Sequence, residues 1–370
     1  MINVLYLLNH AGKAGTERYV ESLIERMDNN KIKAHFVYNE EGLLADKLKT
    51  RGVPTFCLEM KNPFDFKAAI KLAKLCKDLS INLIHTQFLR ENYIALLSRL
   101  INPKVKVIYT NHFVLKNNFI LGITNRLISK LQSNIIAVCN KGKDVLISNG
   151  VPKNKITVIF NGVDPSFWGS NEESTLRKEF GIDEDAFVIL GVARFAHDKG
   201  HKFFIEAIAK LKSKTDRKFK CVLANDGPLL EDCKKLSHDL GLDDSVIFTG
   251  FRGDVKNLIY GSDLYVNSSE HEALSFAIIE MLAGGLPVIA TDISGNGDII
   301  NKETDCGILV KYNDSEGLAN AMKTVMEDKD LCEKLKSNAK SAIERLFNLD
   351  KNVEQTYKIY LNTLKTEAIK

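Results

Sequence analysis

The chain has 370 residues, is 45% hydrophobic and 26% charged, and carries a net charge of +4. That is enough for two domains that each bury a core, and too ordinary a composition for a disordered or membrane-embedded protein. Seven cysteines at irregular positions, with no Cys-x-x-Cys pair, argue for reduced buried thiols and against a disulfide framework or a zinc site. The opening MINVLYLLNH lacks the basic n-region and small-residue cleavage site of a signal peptide. It reads instead as a first strand, Val4 to Leu8, and a cytoplasmic protein is expected. The loop Asn9 to Gly15 leads into a helix whose stripe of Val20, Leu23, Ile24 and Met27 is core. Gly12 and Gly15 lack the third glycine of a dinucleotide fingerprint, which disfavours an NAD dehydrogenase.

Further strands are expected at Ala34 to Tyr38, Thr55 to Leu58, Leu83 to Thr86 and Val105 to Thr110, with helical stretches between them. Such alternation predicts a parallel sheet covered on both faces, with ligands at the carboxyl ends of its strands. His85 and His112 both stand at such ends, and a lone histidine there is ordinarily structural, the reading kept for His85. From Arg99 to Lys155 ten basic residues face a single acid, Asp144. Within that region Phe113 to Gln132 mixes apolar side chains with Lys116, Arg126 and Lys130. It reads either as a helix with a solvated basic face or as a shallow contact with an anionic membrane. Strands at Ile135 to Cys139 and Ile156 to Ile159 precede the turn Asn161-Gly-Val-Asp-Pro165, which closes the first domain.

A linker from Trp168 to about Asp185 carries Asp183-Glu184-Asp185, a D-x-D spacing that elsewhere holds a divalent ion; here it precedes a strand, so it reads as solvated charge. The second domain opens with a buried strand that delivers Arg194 and Lys199 to one loop, where two cations can converge on a diphosphate. His197 and Asp198 between them read as solvated loop residues, and the helix His201 to Lys212 follows Gly200. Strands at Cys221 to Ala224, Val246 to Thr249 and Leu264 to Asn267 lead to SSEHEALSFAIIEMLAGGLPVIAT, Ser268 to Thr291. In that stretch Ser275 caps a helix from Phe276 to Ala283, Gly284 and Gly285 end it, and Val288 to Thr291 is a buried strand. The helix start suits a phosphate and stands between Glu272 and Glu280; Glu270 falls out of register. The loop Ser294 to Asp298 is a second small-residue loop at a strand end, and from Ser315 the chain is helical and charged, with Leu318, Met322, Val325 and Met326 as a stripe.

The Glu272–Glu280 register, followed by Ala-Gly-Gly-Leu-Pro-Val-Ile-Ala, closely resembles the signature of retaining glycosyltransferases of family 4. Arg194 and Lys199 match that family's phosphate-binding pair, and Ala14-Gly15-Thr16-Glu17 resembles its Gly-Gly-x-Glu loop, with Ala14 in place of the first glycine. The resemblance implies a GT-B fold: an N-terminal Rossmann-like acceptor domain, residues 1–166, facing a nucleotide-sugar domain, residues 167–351, across a cleft. A last helix over about 352–370 would return to the first domain, with Tyr357, Tyr360 and Leu361 as anchors. It implies donor contacts from Gly15, Arg194, Lys199, Phe251, Leu274, Ser275, Phe276 and Glu280, with Glu280 on the ribose. Glu272 and His112 would contact the donor sugar as the catalytic residues, and Thr16 and Glu17 would lie on the acceptor side. The expected reaction moves a sugar from a donor such as a UDP- or GDP-sugar to a glycan or lipid-linked acceptor in cell-envelope synthesis. No metal, cofactor or nucleic acid is expected, and the basic region suits a peripheral place on the inner face of the plasma membrane. A nucleotide-sugar epimerase of the same fold, a non-catalytic sugar-nucleotide binder and a glycosidase are the alternatives. The glycosidase is disfavoured because its two carboxylates would have to flank one bond.

Overall fold

The fold comes from a computed structural model that describes residues 1–12, 15–114, 119–170 and 172–365. The chain divides into two compact units, residues 1–161 with 349–370, and residues 162–348.

The first unit is a seven-stranded sheet of β1 (Ile2–His10), β2 (Ile32–Glu40), β3 (Thr55–Cys57), β4 (Leu83–Thr86), β5 (Lys106–Asn111), β6 (Asn134–Ala137) and β7 (Ile156–Val158). Their order is β3-β2-β1-β4-β5-β6-β7, and every pairing is parallel. β1 extends past the expected Val4 to Leu8 at both ends because β2 partners it from Ile2↔Ile32 to His10↔Glu40. Apolar runs such as Val4 to Leu8 are buried because helices cover both faces of a parallel sheet. The helix Gly15–Arg26 buries Tyr19, Val20, Leu23 and Ile24, three of them from the expected stripe. The helix Phe119–Ile128 falls within the expected Phe113 to Gln132 element, of which 115–118 lie outside the described residues.

The last helix, Leu349–Lys365, belongs to this unit. It is fastened by Asn352 Nδ2, which donates to the Phe160 carbonyl over 2.5 Å, and by Tyr360 Oη, 2.6 Å from His85 Nδ1. His85 Nε2 lies 2.7 Å from Thr110 Oγ1, so both ring nitrogens are bound inside the unit and the residue is structural. Of the expected anchors Tyr360 is fully buried, whereas Tyr357 and Leu361 are only half-buried. Val353, Thr356 and Ile359 fill the buried face instead, since the stripe follows the helical period back from Tyr360.

The second unit is a six-stranded parallel sheet of β8 (Phe187–Val192), β9 (Phe219–Ala224), β10 (Val246–Gly250), β11 (Leu264–Asn267), β12 (Val288–Thr291) and β13 (Gly307–Val310). Its order is β10-β9-β8-β11-β12-β13. The sequence reading has no strand at β13; three of its four residues lie half-buried at the sheet edge and only Val310 is buried, too short a run to stand out. The charged stretch from Ser315 is two helices, Ser315–Glu327 and Lys329–Leu346. Asp314 and Asp328 cap them, accepting from the Gly317 and Leu331 amides at 2.8 Å each. Leu318, Met322, Val325 and Met326 are buried. This unit begins at Gly162, a few residues before the expected boundary, because Val163 bridges to Asn348 and Asp164 caps the short helix Pro165–Trp168. Asp183 and Asp185 both face Lys218 ahead of β8, at 3.0 and 3.7 Å.

Candidate active site

In the second unit three loops at the carboxyl ends of the strands are fastened together. The loop after β8 carries Arg194 and Lys199 and turns at Gly200, whose φ is +64°. A Cβ on Gly200 would stand 2.1 Å from the Ser268 carbonyl oxygen, so only glycine allows this close approach to the end of β11. Ser268 Oγ donates back to the Lys199 carbonyl over 2.8 Å. The loop after β12 is seated as tightly, since a Cβ on Gly295 would fall 1.5 Å from the Ala273 carbonyl oxygen. Asn296 Nδ2 donates to the Thr291 carbonyl (3.0 Å), and Thr291 Oγ1 donates to the Ser269 carbonyl (2.5 Å).

This lacing brings Lys199 onto Glu272. The ammonium lies 2.9 Å from Glu272 Oε1 and 3.3 Å from Asp198 Oδ2, and Ser269 Oγ donates to the same Glu272 oxygen over 3.0 Å. Burial disfavours the Lys199 charge, but Glu272 and Asp198 outweigh it and hold its pKa above the ordinary lysine value. Asp198, expected to be a solvated loop residue, is therefore part of the cluster, and its carbonyl also accepts from the Glu270 amide over 2.8 Å. Glu270 is drawn in as well, accepting from the Tyr312 hydroxyl at 3.4 Å. Arg194 is exposed and, among the described residues, has no carboxylate partner. The two cations thus differ: one is already neutralised, the other is open to an incoming anion.

Ser275 caps the helix Phe276–Ala283, its side chain accepting from the Ile278 amide at 3.4 Å. Leu274 is buried, Phe276 is half-buried, and Phe251, beyond β10, is 57% exposed. Glu280 is buried within the helix. Tyr265 on β11 links the two expected acids, since burial first, then the fields of Glu272 and Glu280, raise its pKa. Arg252, next to Phe251, is held by Glu179 and Asp254, the latter at 2.6 Å, and this pairing keeps Asp254 down at about 2.

In the first unit no such ion pair stands at His112 among the described residues. Its Nε2 lies 2.9 Å from Gln87 Oε1, with the Tyr19 ring edge-on at 5.0 Å and the Phe88 ring at 6.2 Å. Burial pushes its pKa down to about 3, so the imidazole is neutral near pH 7 and donates from Nε2 to the Gln87 oxygen. Gln87 escapes the sequence reading; its one signal is its position immediately after β4, where ligands gather. Gly15 opens its helix, Thr16 is half-buried and Glu17 is buried, its carboxylate turned towards the Gly12 loop. Ala14 and Lys116 lie outside the described residues. Among the described residues no three His, Cys, Asp or Glu side chains are grouped as metal ligands.

Comparison with known proteins agrees with this layout. Residues 172–342 match the model for glycosyl transferases group 1, and residues 14–167 match that for glycosyltransferase family 4. The chain is 27% identical, over 94% of each protein, to the Escherichia coli UDP-Gal:alpha-D-GlcNAc-diphosphoundecaprenol alpha-1,3-galactosyltransferase. It is 28% identical, over 76% of each, to a Campylobacter jejuni enzyme that is named as an N-acetylgalactosaminyltransferase acting on a diphospho-undecaprenol-linked saccharide. Its fold matches a Rickettsia africae glycosyltransferase with a TM-score of 0.88 at 24% identity, covering 98% and 99% of the two chains. Anabaena HepE, solved in complex with UDP, matches with a TM-score of 0.86 at 20% identity, over 98% and 100%. Two Rossmann-like units, a glycosyltransferase model on each and related transferases along nearly the whole length lead to one conclusion: the chain is a glycosyltransferase and belongs to family 4.

Proposed function

We propose that this enzyme moves a glycosyl group, with retention of anomeric configuration, from a nucleotide-sugar donor to a lipid-linked acceptor in cell-envelope glycan synthesis. The observation that carries this reading is the asymmetric cation pair beside the helix at Phe276, with Lys199 bound to Glu272 and Arg194 open. Arg194 grips the donor diphosphate bidentately, and the helix start with its dipole adds to the pull. As the bond from the anomeric carbon to the diphosphate oxygen breaks, negative charge grows on that oxygen, and Lys199 stabilises it. The acceptor hydroxyl oxygen forms the new bond on the same face, and its proton passes to the departing diphosphate. Glu272 holds the donor sugar's hydroxyls, Glu280 the ribose, and Phe251 and Leu274 border the nucleotide. His112 meets the sugar from the first unit, where Thr16 and Glu17 serve the acceptor. No metal takes part.

Two supports come from relatives: the E. coli and C. jejuni enzymes are named for diphosphoundecaprenol-linked acceptors, and HepE has been solved with UDP and with UDP-glucose. The basic region 99–155 favours an anionic membrane, where such an acceptor resides. No helix among the described residues is long and apolar enough to cross a membrane. The test is a thermal-shift panel of UDP, GDP, ADP, CDP and their sugars, with and without EDTA, on wild type and Arg194→Ala. Stabilisation by one nucleotide, insensitive to EDTA and lost in the variant, is expected. Failure of every nucleotide, or a variant that responds like wild type, overturns the donor site. Turnover of the donor sugar into an isomer without acceptor would show an epimerase instead.

A further inference from the structure

The first unit contains a cavity of about 270 Å³ between its sheet and the helices Leu89–Ile101, Phe119–Ile128 and Asn140–Ser148. Its wall is mainly hydrocarbon and aromatic, from side chains such as Leu89, Tyr93, Ile128, Leu146 and Val151. Polar side chains in the wall are bonded to the protein itself. Tyr93 Oη donates to Asn125 Oδ1 and Tyr109 Oη to Asn111 Oδ1, both at 2.9 Å; Gln132 Nε2 donates to the Val107 carbonyl over 3.2 Å. Such a wall offers little to a sugar and much to a hydrocarbon. An apolar cavity of about 150 Å³ stays dry and takes up benzene, so this one has room for roughly ten carbons, or two isoprene units.

Two features say what enters. Leu89 and Phe113 line the cavity and are also exposed, so its apolar surface continues to the outside. Two of the helices that form it lie within the region with ten basic residues and one acid, and the third ends there; Arg126 and Lys130 are exposed and Arg99 is half-buried. The occupant is therefore an apolar chain with an anionic head. The cavity also adjoins the candidate site, since Phe88 in its wall stands 5.5 Å from the Phe113 ring and 6.2 Å from His112. We propose that this cavity receives the first isoprene units of a lipid-linked acceptor, next to its diphosphate, and so fixes the acceptor beside His112. This rests on the lipid-linked acceptor proposed above.

The test measures binding of geranyl diphosphate, inorganic diphosphate and dihexanoyl phosphatidylglycerol to the full chain, wild type and variants. Geranyl diphosphate is expected to bind at least tenfold more tightly than inorganic diphosphate. That advantage disappears in Leu89→Glu and Ser129→Phe, which charge or fill the cavity, and survives in Leu100→Glu, an exposed leucine of the same helix outside it. If Ser129→Phe does not fold, the exposed Leu89→Glu still decides. Equal binding of the two diphosphates, an advantage that persists in the lining variants, or a preference for the phospholipid overturns the proposal. Nucleotide binding is measured on the same samples: a retained nucleotide response without tail preference sinks only this inference, whereas a lost nucleotide response sinks the transferase site.

Discussion

The two units share one strand order, with β3-β2-β1-β4-β5-β6 matched by β10-β9-β8-β11-β12-β13, yet their strand ends are electrically unlike. After β8 and β11 the second unit gathers Arg194, Lys199, Asp198 and Glu272. After β4 and β5 the first presents Gln87 against a neutral His112. The shared sheet fixes where a ligand is met, and the loops decide what it meets. A charged end suits a diphosphate whose charge grows during reaction; a neutral end suits hydroxyls.

The strongest way to break this contrast is Lys199→Ala. It removes the cation assigned to the leaving diphosphate and leaves Glu272 with only the Ser269 hydroxyl among the bonds described above. Initial rates are expected to fall by about 10²–10³-fold; a loss below threefold would mean that charge at this end is structural only. Acid titration asks whether the neutral end is real. Burial holds His85 and His112 down at about 3, and His201 of the second unit at about 4. Their folded pKa values lie below the unfolded value of about 6.5, so the unfolded chain binds more protons between the two. Stability is full above pH 6.5 and declines as pH falls towards 4, by up to about 1.4 kcal/mol per pH unit for each histidine. Urea denaturation at pH 7.5, 6 and 5 checks the slope, and a flat profile would contradict it.

Gln87→Glu sharpens the contrast by placing a charge at the neutral end. The new carboxylate raises the His112 pKa, so a pH–rate profile that is level for wild type from pH 6 to 8 acquires a new titration, with activity about tenfold lower at pH 7. An unchanged profile removes Gln87 from any role in positioning the ring. The smallest effect on activity is at Glu91, a buried acid in the helix Leu89–Ile101 whose carboxyl burial pushes up to about 7. Its ionisation destabilises the fold increasingly from pH 4.5 to 7, so Glu91→Gln should stabilise by up to about 3 kcal/mol at pH 8 and by nothing at pH 4.

Much of this architecture is legible in the chain. Runs such as Leu83 to Thr86, Leu264 to Asn267 and Val288 to Thr291 form strands with the expected limits, because a strand buried on both faces leaves a continuous apolar run. The helix Phe276–Ala283 and its Ser275 cap follow from equally local chemistry. What spacing does not disclose is pairing at a distance. Lys199 and Glu272 are separated by 73 residues, and distant contacts such as those of Gly200 and the Ser268 hydroxyl bring their loops together. Asp198 reads as loop charge for the same reason, and Gln87 carries no periodicity or ionisable group to mark it. β13 is too short to stand out, and the face of the last helix depends on where Tyr360 docks.

That docking has a consequence for synthesis. Tyr360 fills the space between His85 and Tyr6, so the first unit is not complete until Leu349–Lys365 has left the ribosome. At ordinary elongation rates the nascent first unit waits about 10–40 s for its last helix. Meanwhile the His85 ring lacks its tyrosine partner, and the second unit, continuous in sequence, is free to fold first. The domain made first is finished last, and a chain cut short after the second unit would carry an intact second unit and an open first unit for proteases and chaperones to find.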